Sequence, residues 1–133
     1  MYKVFVYGSL LSGMGNSGLL SNSKMLGTTI SPENFAMVDL GYFPGVIIDE
    51  THPGKVMGEV YEVDDDTLKR LDSLEGYRAQ DPKSGLYDRM TINTEIGEAY
   101  IYIYNNKYGR SNPNFIENGD WKTYFKSKTS RYE

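Results

Sequence analysis

The apolar positions along the chain fall mostly into short runs with the spacing and composition of β-strands. These runs are rich in β-branched and aromatic residues and are separated by glycine, proline and other turn-forming residues. Strands are therefore predicted at Tyr2–Tyr7, Leu26–Ile30, Phe35–Leu40, Val46–Asp49, Lys55–Val63, Tyr87–Thr94 and Glu98–Tyr104. The last two are expected to form a hairpin across Glu95–Gly97. The last strand alternates tyrosine with smaller apolar residues, so its tyrosine face either lines a site or is an amphipathic surface.

One segment has instead the periodicity and the end signals of an α-helix. Asp64 is suited to cap the first turn, where backbone N–H groups lack partners, and Gly76 stands where a helix commonly ends. Leu68 and Leu71 mark its buried stripe. A final helical turn, capped by Asp120, is expected to carry three aromatic residues, Trp121, Tyr124 and Phe125.

These elements predict the fold class. Six or seven strands with one strong helix indicate a β-rich α+β domain, a small barrel or curled sheet. We expect residues 1–133 to form a single domain.

Glu75 is an unusual residue for the apolar face of this helix. It follows Leu71 by four residues and Leu68 by seven, so it projects from the same stripe. An apolar environment and the negative end of the helix dipole both disfavour the ionised form. Both effects should raise the pKa of Glu75 towards neutrality, where a carboxyl group can take and return a proton. The alternative is that Glu75 simply ends the helix and is turned to solvent.

Composition excludes several classes of function. The net charge is −4, without a basic run, which argues against nucleic-acid binding. The chain has no cysteine and a single histidine, His52, which we predict to be a solvated loop residue. Disulfides, thiolate metal sites and clusters of several histidines are therefore excluded, and no metal ligand is predicted. The apolar start is too short for a signal peptide or a membrane span, so a cytoplasmic location is expected.

A glycine-rich segment fits the spacing of a dinucleotide-binding fingerprint, G-x-G-x-x-G, at Gly13, Gly15 and Gly18. That motif requires its glycines directly after a strand and at the start of a full helix. Here the predicted strand ends at Tyr7, and the following segment is too short for such a helix. Ser9 also lacks the G-x-S-x-G turn of a hydrolase nucleophile. Neither a nucleotide site nor a nucleophilic serine is predicted.

A set of short motifs runs in a fixed order along nearly the whole chain. They are YGSL (Tyr7–Leu10), Asn16 followed by two leucines, DLGYFPGV (Asp39–Val46), GEVYEV (Gly58–Val63), LDSLEGY (Leu71–Tyr77), LYDR (Leu86–Arg89) and GDW (Gly119–Trp121). Their order and spacing resemble those of the gamma-glutamylcyclotransferase-like family. The resemblance implies a small mixed β-barrel with flanking helices, in which the YGSL loop and the LEGY glutamate face one cavity. Leu11 and Ser12 depart from the pattern, because many members carry basic residues there.

The resemblance also implies a reaction. Enzymes of this family cyclise a γ-glutamyl group, whose own α-amine attacks its γ-carbonyl, to give pyroglutamate and a free amine or amino acid. Since the attack is intramolecular, no protein nucleophile, metal or cofactor is expected. The expected partner is a small γ-glutamyl substrate, and neither nucleic acid nor membrane. The alternative is a non-catalytic small-ligand or protein-binding module with the same fold.

The predicted site residues take different roles. Glu75 is predicted to be the catalytic acid and base, and the backbone N–H groups of Gly8, Ser9 and Leu10 to bind the substrate carboxylate or the oxyanion. Tyr7 belongs to the same predicted substrate-binding set, and it is expected to pack or to orient the loop and to take no part in the chemistry.

Two further predictions keep their alternatives. Asn16 either donates to the substrate or supports its own turn. Tyr87 either lines the site, as the resemblance implies, or is a core residue. Arg89 is expected in a surface or structural ion pair, and pairing with a carboxylate is the alternative.

Overall fold

The computed structural model describes residues 1–49, 54–81, 84–105 and 114–130, and His52 lies outside them. The described residues form seven strands: β1 (Tyr2–Val6), β2 (Lys24–Ile30), β3 (Phe35–Asp39), β4 (Pro44–Ile48), β5 (Met57–Val63), β6 (Tyr87–Thr94) and β7 (Gly97–Tyr104). They also form two α-helices, α1 (Asp65–Glu75) and α2 (Trp121–Ser130), and a 3₁₀ helix at Ser17–Leu20. Strand ends differ slightly from the prediction. For example, β4 begins at Pro44, two residues before the predicted start at Val46. Proline is tolerated there because it is the first residue of an edge strand.

Five of the strands form a curled mixed sheet in the order β2-β5-β1-β7-β6, and β3 and β4 form a separate antiparallel pair. β1 lies at the centre, antiparallel to β5 and parallel to β7. Val4 and Phe5 of this strand are fully buried, as expected for a strand covered on both faces. The predicted α+β class, with a curled sheet and flanking helices, is confirmed.

Both predicted ends of α1 are confirmed. The Asp64 carboxylate accepts a hydrogen bond from the Thr67 N–H at 2.8 Å, which caps the first turn. Gly76 ends the helix in the left-handed conformation, with φ of 68°. Leu68 and Leu71 are buried and hold the helix against the core. The cap, the stop and the buried leucines therefore fix the position of Glu75, the last residue of the helix.

A close contact between two glycines joins the end of α1 to the start of β6. A Cβ atom at Gly85 would overlap the carbonyl oxygen of Gly76, so only glycine allows the two segments to approach in this way. The Asn105 side chain donates to the Gly85 carbonyl at 2.8 Å, and the Asn105 N–H donates to the Leu86 carbonyl at 3.0 Å. The end of α1 and the start of β6 are thus held next to each other.

The C-terminal helix is longer than the single turn predicted. Asp120 caps it as expected, since its carboxylate accepts from the N–H of Thr123 at 3.2 Å and from its hydroxyl at 2.8 Å. The rings of Tyr124 and Phe125 pack on Trp121, which is almost fully buried, and this contact supports a full helix. Within the described ranges, neither α-helix is long and apolar enough to cross a membrane.

Candidate active site

One cavity of about 260 Å³ brings together all seven residues predicted for the site: Tyr7, Gly8, Ser9, Leu10, Asn16, Glu75 and Tyr87. They come from the end of β1 and the loop after it, from the last position of α1, and from the first position of β6. The rest of the lining is almost entirely apolar or aromatic: Phe5, Val6, Tyr42, Phe43, Pro44, Leu74, Leu86 and Tyr102. Among the described residues, Glu75 is the one charged side chain of the lining.

Glu75 is half-buried at the end of α1. Burial raises the pKa of its carboxyl from an ordinary value of 4.5 to about 7, and burial alone accounts for this direction. No described residue donates a hydrogen bond to the carboxyl or forms an ion pair with it. The group is therefore available for proton exchange near neutral pH. In the part of the chain that the structure describes, no three histidine, cysteine or acidic residues are grouped to hold a metal ion.

The loop after β1 brings consecutive backbone N–H groups to the cavity that Glu75 also lines. Its turn is closed by the carbonyls of Gly8 and Ser9, which accept from the N–H groups of Leu11 at 3.0 Å and Asn16 at 2.8 Å. The N–H groups of Gly8, Ser9 and Leu10 have no acceptor among the described residues. Consecutive N–H groups of this kind are suited to bind a carboxylate or an oxyanion.

Asn16 supports this turn with its side chain. Its Nδ2 donates to the Ser9 hydroxyl at 2.9 Å, and its N–H donates to the Ser9 carbonyl. Of the two roles predicted for Asn16, support of the turn is the one with observed contacts, although the residue also lines the cavity.

Pro44 is held between the loop and β6. A Cβ atom at Gly8 would lie 2.8 Å from Pro44 Cγ, so the loop approaches the proline ring as closely as glycine permits. On the other side, the Tyr87 hydroxyl donates to the Pro44 carbonyl at 2.8 Å. Tyr87 is buried, and its ring meets Tyr104 edge-on at 5.8 Å. It is thus at once a core residue and a wall of the cavity.

Tyr7 has a comparable position beneath the loop. Its hydroxyl donates to the Tyr102 carbonyl at 2.6 Å, and burial raises its pKa well above the ordinary value. Tyr102, from the tyrosine face of β7, also lines the cavity and donates to Asp72 Oδ1 at 2.7 Å. The tyrosine face of β7 therefore contributes one residue to the site. The alternation in the sequence alone does not decide between a site-lining face and an amphipathic surface.

Arg89 forms a structural ion pair outside the cavity. Its Nη1 lies 2.6 Å from Asp72 Oδ2, and its guanidinium lies over the rings of Tyr77 and Tyr100 at 4.7 and 4.4 Å. Since Asp72 also accepts from Tyr102, this ion pair fixes α1 against β6 and β7.

Glu59 of β5 lies in the GEVYEV motif but is not among the predicted site residues, yet it is a buried acid that contacts the site loop. Its carboxylate accepts from the Ser12 N–H and hydroxyl and from the Tyr61 hydroxyl, and it is only 6% exposed. The local signal in the sequence is an acid between apolar residues of a predicted strand, and the partly buried Glu62 of the same strand shows the same pattern. Leu11 and Ser12, the two positions that depart from the family pattern, do not line the cavity: Leu11 is buried, and Ser12 is bound to Glu59.

Comparison with known proteins places this geometry in context. A family model described as gamma-glutamyl cyclotransferase, AIG2-like, matches residues 4–123. The gamma-glutamylcyclotransferase family protein YtfP of Escherichia coli is 37% identical over 119 residues, which are 90% of this chain and 95% of that protein. Its solution structure superposes with a TM-score of 0.64.

Two more similarities extend this comparison. The gamma-L-glutamyl-butirosin B gamma-glutamyl cyclotransferase of Niallia circulans is 32% identical over 133 residues, covering 93% of this chain and 78% of that protein. The crystal structure of PH0828 from Pyrococcus horikoshii has a TM-score of 0.78 over the whole of both chains. At 22% identity, it agrees in fold alone.

Proposed function

Because the chain belongs to the gamma-glutamyl cyclotransferase, AIG2-like family, as its motifs predict, we propose that it cyclises the γ-glutamyl group of a small amide with Glu75 as acid and base. The named relatives support a γ-glutamyl cyclotransferase-type function in general. The observation that carries the finer proposal is the position of Glu75. It is a half-buried carboxyl with a pKa of about 7, in the same cavity as the Gly8–Leu10 loop.

The proposed reaction needs one bond to form and one to break. The α-amine of the substrate attacks its own γ-carbonyl carbon, and the new C–N bond closes the five-membered ring of pyroglutamate. The amide C–N bond to the leaving amine then breaks. The cavity holds the amine against the carbonyl, and well-oriented intramolecular attack of this kind lowers the barrier by up to about 7–11 kcal/mol.

Glu75 carries the proton in this scheme. As a carboxylate it takes a proton from the attacking amine, and as a carboxylic acid it delivers that proton to the leaving nitrogen. A pKa near 7 suits both steps, because the two protonation states are then similar in free energy at neutral pH. The proton count balances without water or any other reactant.

The loop supplies the charge stabilisation. The N–H groups of Gly8, Ser9 and Leu10 bind either the α-carboxylate of the substrate or the oxyanion that forms on its γ-carbonyl. Because these groups have no partner among the described residues, a ligand oxygen would satisfy them without breaking an existing hydrogen bond.

Product analysis tests this function. The purified protein, incubated with an L-γ-glutamyl alkylamide, should release pyroglutamate and free amine in equal amounts. The same amide with an N-acetylated α-amine is the matched control and should give no product, because its nucleophile is blocked. Release that a chelator abolishes and a divalent ion restores would contradict the proposed metal-independent reaction. Ligand binding without any release would identify a non-catalytic binding module instead.

A further inference from the structure

Four exposed apolar side chains surround the mouth of the cavity. Tyr42 is 91% exposed, Phe43 39%, Leu74 42% and Leu86 48%, and all four line the same cavity as Glu75. We call these four residues the rim. A concentration of exposed apolar surface at the opening of a cavity is typical of a ligand contact, because its burial by the ligand is favourable.

The rim is continuous with the inner wall. Three of its members directly precede a wall residue in the sequence: Phe43 before Pro44, Leu74 before Glu75, and Leu86 before Tyr87. Leu86 is also held in place, since its carbonyl accepts from the Asn105 N–H at 3.0 Å and its Cβ lies against Gly76. A ligand group that extends from the carboxyl of Glu75 towards the mouth of the cavity therefore contacts the rim.

We propose that the rim binds the leaving amine, and that the preferred substrates are γ-glutamyl amides of apolar amines. This inference rests on the proposed cyclotransferase reaction. The γ-glutamyl group carries a carboxylate and an amine, which match the loop N–H groups and Glu75 in the inner part of the cavity. The leaving nitrogen receives its proton from Glu75, so the remainder of the amine extends towards the mouth.

The chemistry of the rim determines which amines are favoured. An alkyl or aryl group that packs on these side chains loses apolar surface to water, which stabilises the complex. A carboxylate at the same place would lose its hydration among apolar groups and lie near the carboxyl of Glu75, and both effects are unfavourable. A terminal ammonium would likewise lose hydration there.

Four matched substrates test the proposal: the L-γ-glutamyl amides of methylamine, of butylamine, of the four-carbon amine ending in a carboxylate and of the four-carbon amine ending in an ammonium. The two plain alkylamines have similar basicity, so they differ mainly in packing. We expect kcat/KM for pyroglutamate release to be about 10- to 60-fold higher for the butylamide than for the methylamide, because each of the three additional methylenes contributes up to roughly fourfold when it is buried. Both charged amides should fall below the butylamide.

Substitutions then locate the preference. In the double variant Tyr42→Ser/Leu86→Ser, the butylamide-to-methylamide ratio of kcat/KM should fall towards one. Tyr42→Ser alone removes a side chain that is 91% exposed, so the fold should be retained, and it should lower the ratio at least about twofold. The matched control is Ile48→Ser, which removes an exposed apolar side chain of β4 outside the cavity and should leave the ratio unchanged.

The outcomes separate the two proposals. Equal rates for the alkylamides, a preference for either charged amide over the butylamide, or a preference that survives the rim substitutions would overturn the rim assignment while the cyclotransferase reaction stands. Absence of release from all four amides would overturn the reaction and this inference together.

Discussion

The carboxylate of Glu59 accepts two hydrogen bonds from Ser12, one from the backbone N–H and one from the hydroxyl, both at 2.8 Å. Ser12 comes shortly after the Gly8–Leu10 stretch, so a buried acid of β5 ties the site loop to the sheet. Lys122 of α2 joins the same junction, since its ammonium lies 3.9 Å from Glu59 Oε2 and donates to the Ser12 hydroxyl at 3.2 Å. We infer that Glu59 positions the loop.

Replacing Glu59 with glutamine should loosen the loop. The amide oxygen can still accept from the Ser12 N–H, but the NH₂ replaces the charged oxygen that accepts from the Ser12 hydroxyl and faces Lys122. The charge-assisted contacts of a buried acid are then lost, at a cost of about 1–3 kcal/mol in unfolding free energy. We expect KM for a γ-glutamyl amide to rise about tenfold (a change of about 1.4 kcal/mol), with a smaller effect on kcat. Glu62→Gln on the same strand, outside the cavity, is the control. Lost stability with an unchanged KM would show that Glu59 serves the fold alone.

The loop should act mainly through its backbone. Gly8→Val should abolish turnover, because even its Cβ would collide with Pro44. Ser9→Ala should retain substantial activity, since it loses only the hydrogen bond from Asn16, worth about 1 kcal/mol. Steady-state rates of pyroglutamate release, with circular dichroism as the control for folding, check both. A folded Ser9→Ala protein without activity, or a trapped acyl-enzyme, would point instead to a serine nucleophile.

The hydroxyl of Tyr87 should have a structural role and no role in proton transfer. Burial raises its pKa, and its hydroxyl already donates to the Pro44 carbonyl, so it is a poor candidate for proton transfer. Tyr87→Phe should lower the unfolding free energy by about 1–3 kcal/mol, because that carbonyl loses its donor. We expect kcat to stay within about tenfold of the wild type. A loss of a hundredfold or more at unchanged stability would assign the proton transfer to Tyr87.

The elements that the sequence predicts well are those with local signals. The cap at Asp64, the stop at Gly76 and the paired strands of residues 87–104 depend on neighbours close in sequence, and the structure has all three. The placement of Glu75 on an apolar stripe is likewise predicted from residues close to it in the sequence. The burial that raises its pKa follows directly from that placement.

The features that local patterns miss depend on distant partners. Glu59 is stabilised by Ser12, which lies 47 positions away, and Asp72 is held by Arg89 and Tyr102 of β6 and β7. The central place of β1, parallel to β7, likewise pairs Val4 with Tyr100, which are far apart in the sequence. Such contacts are set by tertiary packing, which no window along the sequence contains.

The free energy of unfolding should depend on pH because the pKa of Glu75 is raised in the folded protein. In the unfolded chain this carboxyl ionises near pH 4.5, and in the folded protein near pH 7. Between these values the unfolded state holds fewer protons, so the free energy of unfolding falls as the pH rises, by on the order of 3 kcal/mol in total. Glu75→Gln lacks this loss and should be the more stable protein at pH 8, while the two proteins should be similar at pH 4.

Urea unfolding of both proteins at several pH values measures the difference directly, because contributions common to both cancel. Glu98→Gln, an exposed glutamate of β7, is the control and should follow the wild type at every pH. If the free energies of unfolding of Glu75→Gln and the wild type changed with pH in parallel, the folded protein would not raise the pKa of this carboxyl.

The most direct measurement is the turnover of Glu75→Gln with a γ-glutamyl alkylamide. Glutamine keeps the shape of the side chain but cannot carry the proton. The folded variant should still bind the amide in calorimetric titration, and kcat for pyroglutamate release should fall by on the order of 10²- to 10⁴-fold, with Glu98→Gln unaffected. A folded Glu75→Gln protein that releases pyroglutamate at the wild-type rate would contradict the assignment of Glu75 as acid and base.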